Sequence, residues 1–218
     1  MDYDFDFLTA FDGSMQPSQV DMAQLVNVIE ANVSQYRYFY KTSLKNLPEI
    51  IIEVTNTNIP HLLGLSKKHH IGLPDYNAGA IFEGLKDDWT LDNLQKGDKF
   101  WFTENQDKII GVLLLYQIFH VQECKVYSTK HIINQPLGGT FKRDNIYFII
   151  FKLANNKSYS IELSPINNTE NSYFPRSLKI NDTKLLNCEE ITMQLVSQQR
   201  ITTKKNKIKK IKWKLDSE

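Results

Sequence analysis

Apolar residues in the first half of the chain recur at helical spacing. Within residues 20–44 they fall at Met22, Leu25, Val26, Ile29, Val33, Tyr36 and Tyr40. Steps of three and four residues place these side chains on one helix face. The pattern therefore predicts one long amphipathic helix. Similar patterns predict helices at 78–85, 90–95 and 106–121, and the apolar run 109–121 predicts that the last of these is buried.

Strand patterns dominate after residue 121. Runs rich in β-branched and aromatic residues predict strands at 124–133, 147–153, 158–163, 191–202 and 207–215, and an earlier run predicts a strand at 49–54. Because asparagine tolerates positive φ, hairpin turns are predicted at Asn155-Asn156 and at Lys204-Lys205-Asn206. The small, polar segments 138–140 and 167–184 are predicted to be loops. The whole pattern predicts an α+β fold, with a helical N-terminal half packed on a curved antiparallel β-sheet.

Composition suggests how the chain divides. The 218 residues suffice for one sizeable core. Residues 1–18, with Gly13, Ser14 and Pro17, are typical of a loosely ordered arm. We therefore expect an acidic arm and amphipathic helix in residues 1–48, followed by an α+β domain in residues 49–218 that ends in a basic hairpin.

The charges are unevenly distributed although the formal net charge is only +1. Residues 1–60 carry eight acidic side chains against three basic ones, whereas eight basic side chains lie between Arg200 and Lys214. This asymmetry indicates a nucleic-acid contact at the basic end, or an acidic segment that shields that end. A solvated strand would show the same run of charges.

The two cysteines, Cys124 and Cys188, form no CxxC pair and no disulfide framework. A reducing cytosol fits this usage. The first residues lack the basic and apolar regions of a secretory signal, and the run 109–121 is too short to span a bilayer. We therefore expect a cytoplasmic protein with no membrane partner.

Residues 59–70, Ile-Pro-His-Leu-Leu-Gly-Leu-Ser-Lys-Lys-His-His, carry the first candidate chemistry. Asn58 can cap a helix that has Pro60 in its first turn. His61 suits a general acid or base because its pKa lies near working pH, and Lys67 and Lys68 suit a phosphate. Equally, His61 can be a capping or packing residue and the lysines can favour a helix end. The spacing contains no HExxH or HxH pattern, so neither a metal nor another cofactor is expected.

Residues 172–178, Ser-Tyr-Phe-Pro-Arg-Ser-Leu, carry the second. Arg176 offers a bidentate fork and Ser177 a hydroxyl donor to a phosphate, and Tyr173 or Phe174 could stack a base. A surface loop fixed by Pro175 would have the same composition. Together the two segments supply the few parts that metal-free RNA cleavage needs: a base, an acid and cations for the developing phosphorane charge.

The sequence His-Leu-Leu-Gly-Leu-Ser-Lys at 61–67, preceded by a strand and followed by Tyr-Ser-Ile-Glu-Leu at 159–163 and Phe-Pro-Arg-Ser-Leu at 174–178, resembles a known family. It is similar to the fourth phage-type branch of the barnase, EndoU, colicin and RelE nuclease superfamily, over roughly residues 49–178. The resemblance implies helices packed on a four- or five-stranded antiparallel sheet and metal-independent endoribonuclease activity in phage-linked toxins and conflict systems. His61, Lys67 and Ser177 are its matched positions, and Arg176 and Tyr159 are their neighbours.

The resulting hypothesis is a cytosolic, toxin-like endoribonuclease of a phage-linked or phage-defence system. His61 acts as acid or base, Lys67 or Lys68 holds the phosphate with Arg176, and Ser177 orients it. Its partners are RNA and an antitoxin or other regulatory protein. The rival hypothesis is a non-catalytic nucleic-acid- or protein-binding module on the same fold. DNA cleavage is less favoured, because the sequence offers no carboxylate cluster for Mg²⁺.

Overall fold

The computed structural model describes residues 2–45, 47–65, 77–87, 89–121, 124–129, 146–150, 156–182 and 188–201. The fold is α+β, as predicted. The helices of the described ranges are α1 (Phe5–Ala10), α2 (Met22–Asn32), α3 (Asn58–Leu62), α4 (Ala78–Lys86), α5 (Leu91–Gly97) and α6 (Lys99–Leu113). The strands are β1 (Tyr36–Thr42), β2 (Glu49–Val54), β3 (Lys125–Thr129), β4 (Ile146–Ile150), β5 (Tyr159–Pro165), β6 (Ser172–Ile180), β7 (Cys188–Ile191) and β8 (Met193–Arg200).

All these strands belong to one sheet with the order β7-β3-β4-β5-β6-β2-β1-β8. Neighbouring strands are antiparallel except β2 and β6, which run parallel with Ile51 opposite Ser172. The prediction of a purely antiparallel sheet is therefore wrong at this pair. Parallel neighbours need a long crossover connection, which here includes α3 and α6 and brings distant segments side by side.

The two edge strands of the sheet follow each other directly in the chain, so the sheet is strongly curved. β7 and β8 lie at opposite ends of the strand order, yet only Thr192 separates them. Ser43 donates from its N–H to the Thr192 carbonyl at 3.0 Å, and its Oγ accepts from the Thr192 N–H at 3.0 Å. One bent strand therefore bonds first to β3 and then to β1.

The helix α6 and the π-helical turn that follows it (Gln117–Val121) occupy the core. All side chains from Ile109 to Phe119 are buried, as expected for a helix that is apolar on every side. On one side, a Cβ added at Gly111 would lie 2.6 Å from Leu178 and 2.8 Å from Tyr159. On the other, Tyr40 Oη donates to the Phe119 carbonyl at 2.7 Å. The prediction of a buried helix is confirmed, although α6 begins earlier, at Lys99.

The predicted helix 20–44 is wrong beyond α2. The chain turns at Gln35, where φ is 65°, and continues as β1. In β1 the side chains of Tyr38 and Tyr40 are buried, whereas Arg37 and Lys41 are exposed. This period of two belongs to a strand. Aromatic residues four positions apart fit the spacing of a helix and also that of a strand. The predicted helix was therefore extended too far.

The boundary predicted near residue 48 does not divide the structure. β1 lies between β2 and β8 in the sheet. The arm is also packed rather than loose, because Leu8 is fully buried and Gln117 Nε2 donates to its carbonyl at 2.9 Å. Residues on both sides of position 48 share one hydrophobic core.

Other predicted elements are confirmed, are wrong or lie outside the described residues. The strand at 49–54 and the helices near 78–85 and 90–95 are confirmed by β2, α4 and α5. The loop predicted at 167–184 is wrong in its central part, where Ser172–Ile180 forms β6. The glycines at 138–140, the hairpin at 204–206, the strand at 207–215 and the basic tail beyond residue 201 lie outside the described residues. No helix within the described ranges is long and apolar enough to cross a membrane.

Candidate functional site

Asn58 attaches the start of α3 to β6. Its Oδ1 accepts hydrogen bonds from the Thr55 N–H at 2.7 Å and from Thr55 Oγ1 at 2.9 Å. Its Nδ2 donates to the Pro175 carbonyl at 3.3 Å, in a buried contact between residues 117 positions apart. The predicted role of Asn58 as a helix cap is therefore corrected, because Asn58 is the first residue of α3 and Thr57 precedes it as the cap. The amide joins the two segments that the sequence singled out.

Gly64 ends α3 in the left-handed region, with φ of 76°. The Leu65 N–H donates to the Pro60 carbonyl at 2.8 Å, and the Gly64 N–H donates to the His61 carbonyl at 3.1 Å. These two bonds form a Schellman motif, in which glycine is the usual residue at this position. The leucines of the turn, Leu62, Leu63 and Leu65, are buried in the core.

Helix α6 packs against this turn through residues on one of its faces. Trp101 Nε1 donates to the Leu63 carbonyl at 3.0 Å. A Cβ added at Gly64 would lie 2.7 Å from Asn105 Oδ1 and 3.4 Å from Lys108 Nζ. Trp101, Asn105 and Lys108 are spaced by four and three residues and so share a helix face. The absence of a side chain at Gly64 makes this close approach possible.

His61 is the only exposed side chain in the segment 59–65. It lies three residues after Asn58, which places it about one helical turn from the contact with β6. Partial burial of the ring lowers its pKa below the usual value. A lowered pKa favours the neutral imidazole at neutral pH, the form that accepts a proton.

Arg176 is the extra residue of a β-bulge. In the register between β5 and β6, Glu162 pairs with Ser177 and Leu163 pairs with Pro175, so Arg176 is inserted between the paired residues. Its side chain is exposed. Bulges re-aim side chains and tolerate proline, which lacks an N–H for the ladder. The Pro175 carbonyl that precedes the bulge is the acceptor for Asn58, so Arg176 follows directly from the contact with α3.

Ser177 faces a carboxylate. Its Oγ donates to Glu162 Oε2 at 3.0 Å, and Lys179 Nζ lies 3.9 Å from the same oxygen. The serine proton is therefore directed to Glu162, which sequence reasoning did not select. The alternation along β5 was a usable signal, because Glu162 falls on the face opposite to Tyr159, Ile161 and Leu163.

The structure corrects the proposed roles of Tyr159 and Tyr173 in substrate binding. Both side chains are fully buried, with a relative exposure of 0%. Tyr159 packs against Gly111 of α6. A base stacks only on an accessible ring face, so burial assigns these two tyrosines to packing in the core.

The described residues thus bring together only part of the predicted set. His61, Arg176 and Ser177 lie on two elements joined by Asn58, while Lys67 and Lys68 lie outside the described residues. Lys108 and Asn58 were missed as site residues. The predicted helix 106–121 does not include Trp101, so the face that Trp101 shares with Lys108 follows only from the observed start of α6 at Lys99, and only the tertiary structure shows that this face meets the α3 turn.

Among the described residues, no group of three or more His, Cys, Asp or Glu side chains could hold a metal ion. No family model, no curated protein and no solved structure matches the chain.

Proposed function

We propose that the protein is a metal-independent endoribonuclease and that His61 carries proton transfer. The observation that carries the proposal is the exposure of His61 in a segment whose other side chains are all buried. Packing in the core accounts for the presence of the leucines, and the left-handed turn accounts for the glycine at position 64. Neither explains an imidazole that faces solvent.

The proposed reaction breaks one phosphodiester bond. The neutral imidazole of His61 takes the proton of a ribose 2′-hydroxyl, and the 2′-oxygen then bonds to phosphorus. The 5′-oxygen of the next nucleotide leaves with its electron pair and receives a proton from a general acid. The product is a 2′,3′-cyclic phosphate. Cations stabilise the extra charge on the phosphorane oxygens, and we assign this role to Arg176 together with the predicted Lys67 or Lys68.

Ser177 has a narrower role in this proposal than the sequence suggested. Because its proton is directed to Glu162, its hydroxyl has no donor left for a phosphate oxygen in this arrangement. We therefore assign Ser177 to fixing β6 beside the Arg176 bulge, which positions Arg176 for the phosphate. The toxin-like role in a phage-linked system, and RNA and an antitoxin as partners, rest on the family resemblance and belong to the same proposal.

The test is incubation of purified wild type and His61→Ala with total RNA and with tRNA in EDTA, followed by analysis of the fragment ends. Cleavage that leaves 2′,3′-cyclic phosphates in the wild type and not in the variant supports the proposal. A wild type that binds RNA without cleaving it contradicts the proposal and favours the non-catalytic binding module. Binding that falls steeply with salt would then identify phosphate contacts.

A further inference from the structure

We propose that Lys108 binds the scissile phosphate beside His61. The substrate is then an internal phosphodiester whose phosphate is contacted by Lys108 of α6 and by Arg176 of β6. The inference rests on the proposed function and adds a residue that the sequence did not single out. The three groups lie on three different elements: His61 on α3, Arg176 on β6 and Lys108 on α6.

The packing of these elements brings Lys108 to the turn that carries His61. Its Nζ would lie 3.4 Å from a Cβ at Gly64, and the Gly64 N–H is bonded to the His61 carbonyl. The ammonium group therefore lies against the turn that carries His61. Trp101 fixes this position, because its Nε1 is bonded to the Leu63 carbonyl of the same turn.

The acidic residue next to Lys108 in the sequence is paired with a different lysine. Asp107 is the acidic neighbour of Lys108 in the sequence, but its Oδ2 is held in an ion pair with Lys157 Nζ at 2.7 Å. Its negative charge is thus balanced by another lysine. On the β6 side of α3, the exposed Arg176 guanidinium follows the Pro175 carbonyl that Asn58 contacts. A phosphate beside His61 can therefore be met by an ammonium from α6 and a guanidinium from β6.

The experiment compares Lys108→Ala, Lys108→Gln and Lys108→Arg with Lys99→Ala, which removes an exposed lysine from the other end of α6. RNA binding and cleavage are measured for each protein over a series of salt concentrations. We expect Lys108→Ala and Lys108→Gln to weaken RNA binding by about tenfold. The slope of log K against log salt should fall in magnitude by about 0.7, the contribution of one contact to single-stranded nucleic acid. Lys108→Arg should keep most of the affinity, and Lys99→Ala should match the wild type.

The outcomes separate this inference from the proposed function. If wild type cleaves RNA, His61→Ala does not, and both neutral variants bind with the wild-type salt slope, Lys108 makes no phosphate contact and only this inference fails. A lower melting temperature with an unchanged salt slope overturns it as well, because a lysine that merely stabilises the α3 turn behaves in that way. If wild type neither binds nor cleaves RNA, both proposals fail. Lys108→Gln keeps a polar side chain of similar length, so the test remains decisive if Lys108→Ala folds poorly.

Discussion

The two histidines within the described residues both lie in helical turns, and their surroundings are opposite. His61 is the exposed residue of the α3 turn. His120, in the π-helical turn after α6, is half-buried between two tyrosines. Its Nε2 lies 3.1 Å from Tyr38 Oη, and its ring stacks on Tyr116 with centroids 4.3 Å apart. Burial lowers the pKa of His120 to about 4, with a hydrogen bond to the Asn32 backbone acting in the opposite sense.

Of these two histidines, His61 is the one that a ligand can reach. The ring of His120 is in contact with the side chains of Tyr38 and Tyr116. A neutral ring packed in this aromatic cluster contributes to stability. His61 presents its ring to solvent on a turn fixed by α6 and β6. A ligand can therefore reach His61 without opening the fold.

Exchange of either histidine for alanine should separate the two roles most clearly. We expect His61→Ala to lower RNA cleavage at least about a hundredfold, the usual scale of acid–base catalysis, with an unchanged free energy of unfolding. His120→Ala should lower that free energy by about 1–3 kcal/mol, because it removes a packed ring and a hydrogen bond, while the folded fraction stays active. Cleavage assays and urea titrations of both variants check this. Loss of activity in a fully folded His120→Ala would contradict the division of roles.

The α3 turn should be sensitive to a methyl group at Gly64. In Gly64→Ala, a Cβ would meet Asn105 Oδ1 at 2.7 Å and the residue would need positive φ. Strain of this kind costs about 2–3 kcal/mol. Gly97→Ala, in the last turn of α5, is the control and should be neutral or slightly stabilising. Urea denaturation gives both values, and equal stability of the two variants would show that the turn is not fixed as described.

Acid should weaken the fold through His120. Its folded pKa of about 4 lies below the usual value near 6.5, so the unfolded chain binds the proton more readily. Stability is fully present above pH 6.5 and is lost as the pH falls towards 4, at no more than about 1.4 kcal/mol per pH unit. Urea titrations at pH 7, 6 and 5 measure the slope. His120→Gln, which cannot titrate, should flatten it; an unchanged slope would assign the acid sensitivity to other groups.

The smallest expected effect concerns the link between the two candidate segments. Asn58→Asp keeps an acceptor for Thr55 but loses the donor to the Pro175 carbonyl. We expect a loss of about 1 kcal/mol in stability and a several-fold fall in RNA cleavage, because His61 and Arg176 are no longer held in one arrangement. Asn167→Asp, the same exchange at an exposed position between β5 and β6, serves as the control. Cleavage that falls only in proportion to the folded fraction would show that Asn58 has no positioning role.

Local patterns in the sequence determined much of the helical part. The residues around Pro60 and the apolar run 109–121 predicted a helix start and a buried helix from neighbouring residues alone. Such elements depend on contacts within a few positions. The same reasoning failed at β1, where residues spaced by four fit a strand as well as a helix, and at β6, whose proline and polar residues resemble a loop.

The environment of each candidate side chain depends on long-range packing. Tyr159 and Arg176 belong to neighbouring strands, yet one is buried against α6 and the other is exposed by a bulge. The parallel pairing of β2 with β6 brings Asn58 to Pro175, and the packing of α6 brings Lys108 to Gly64. These contacts join residues far apart in the chain, so their formation depends on the packing of the whole sheet around α6. The sequence therefore determined which chemical groups are present, and the long-range packing decided which of them meet.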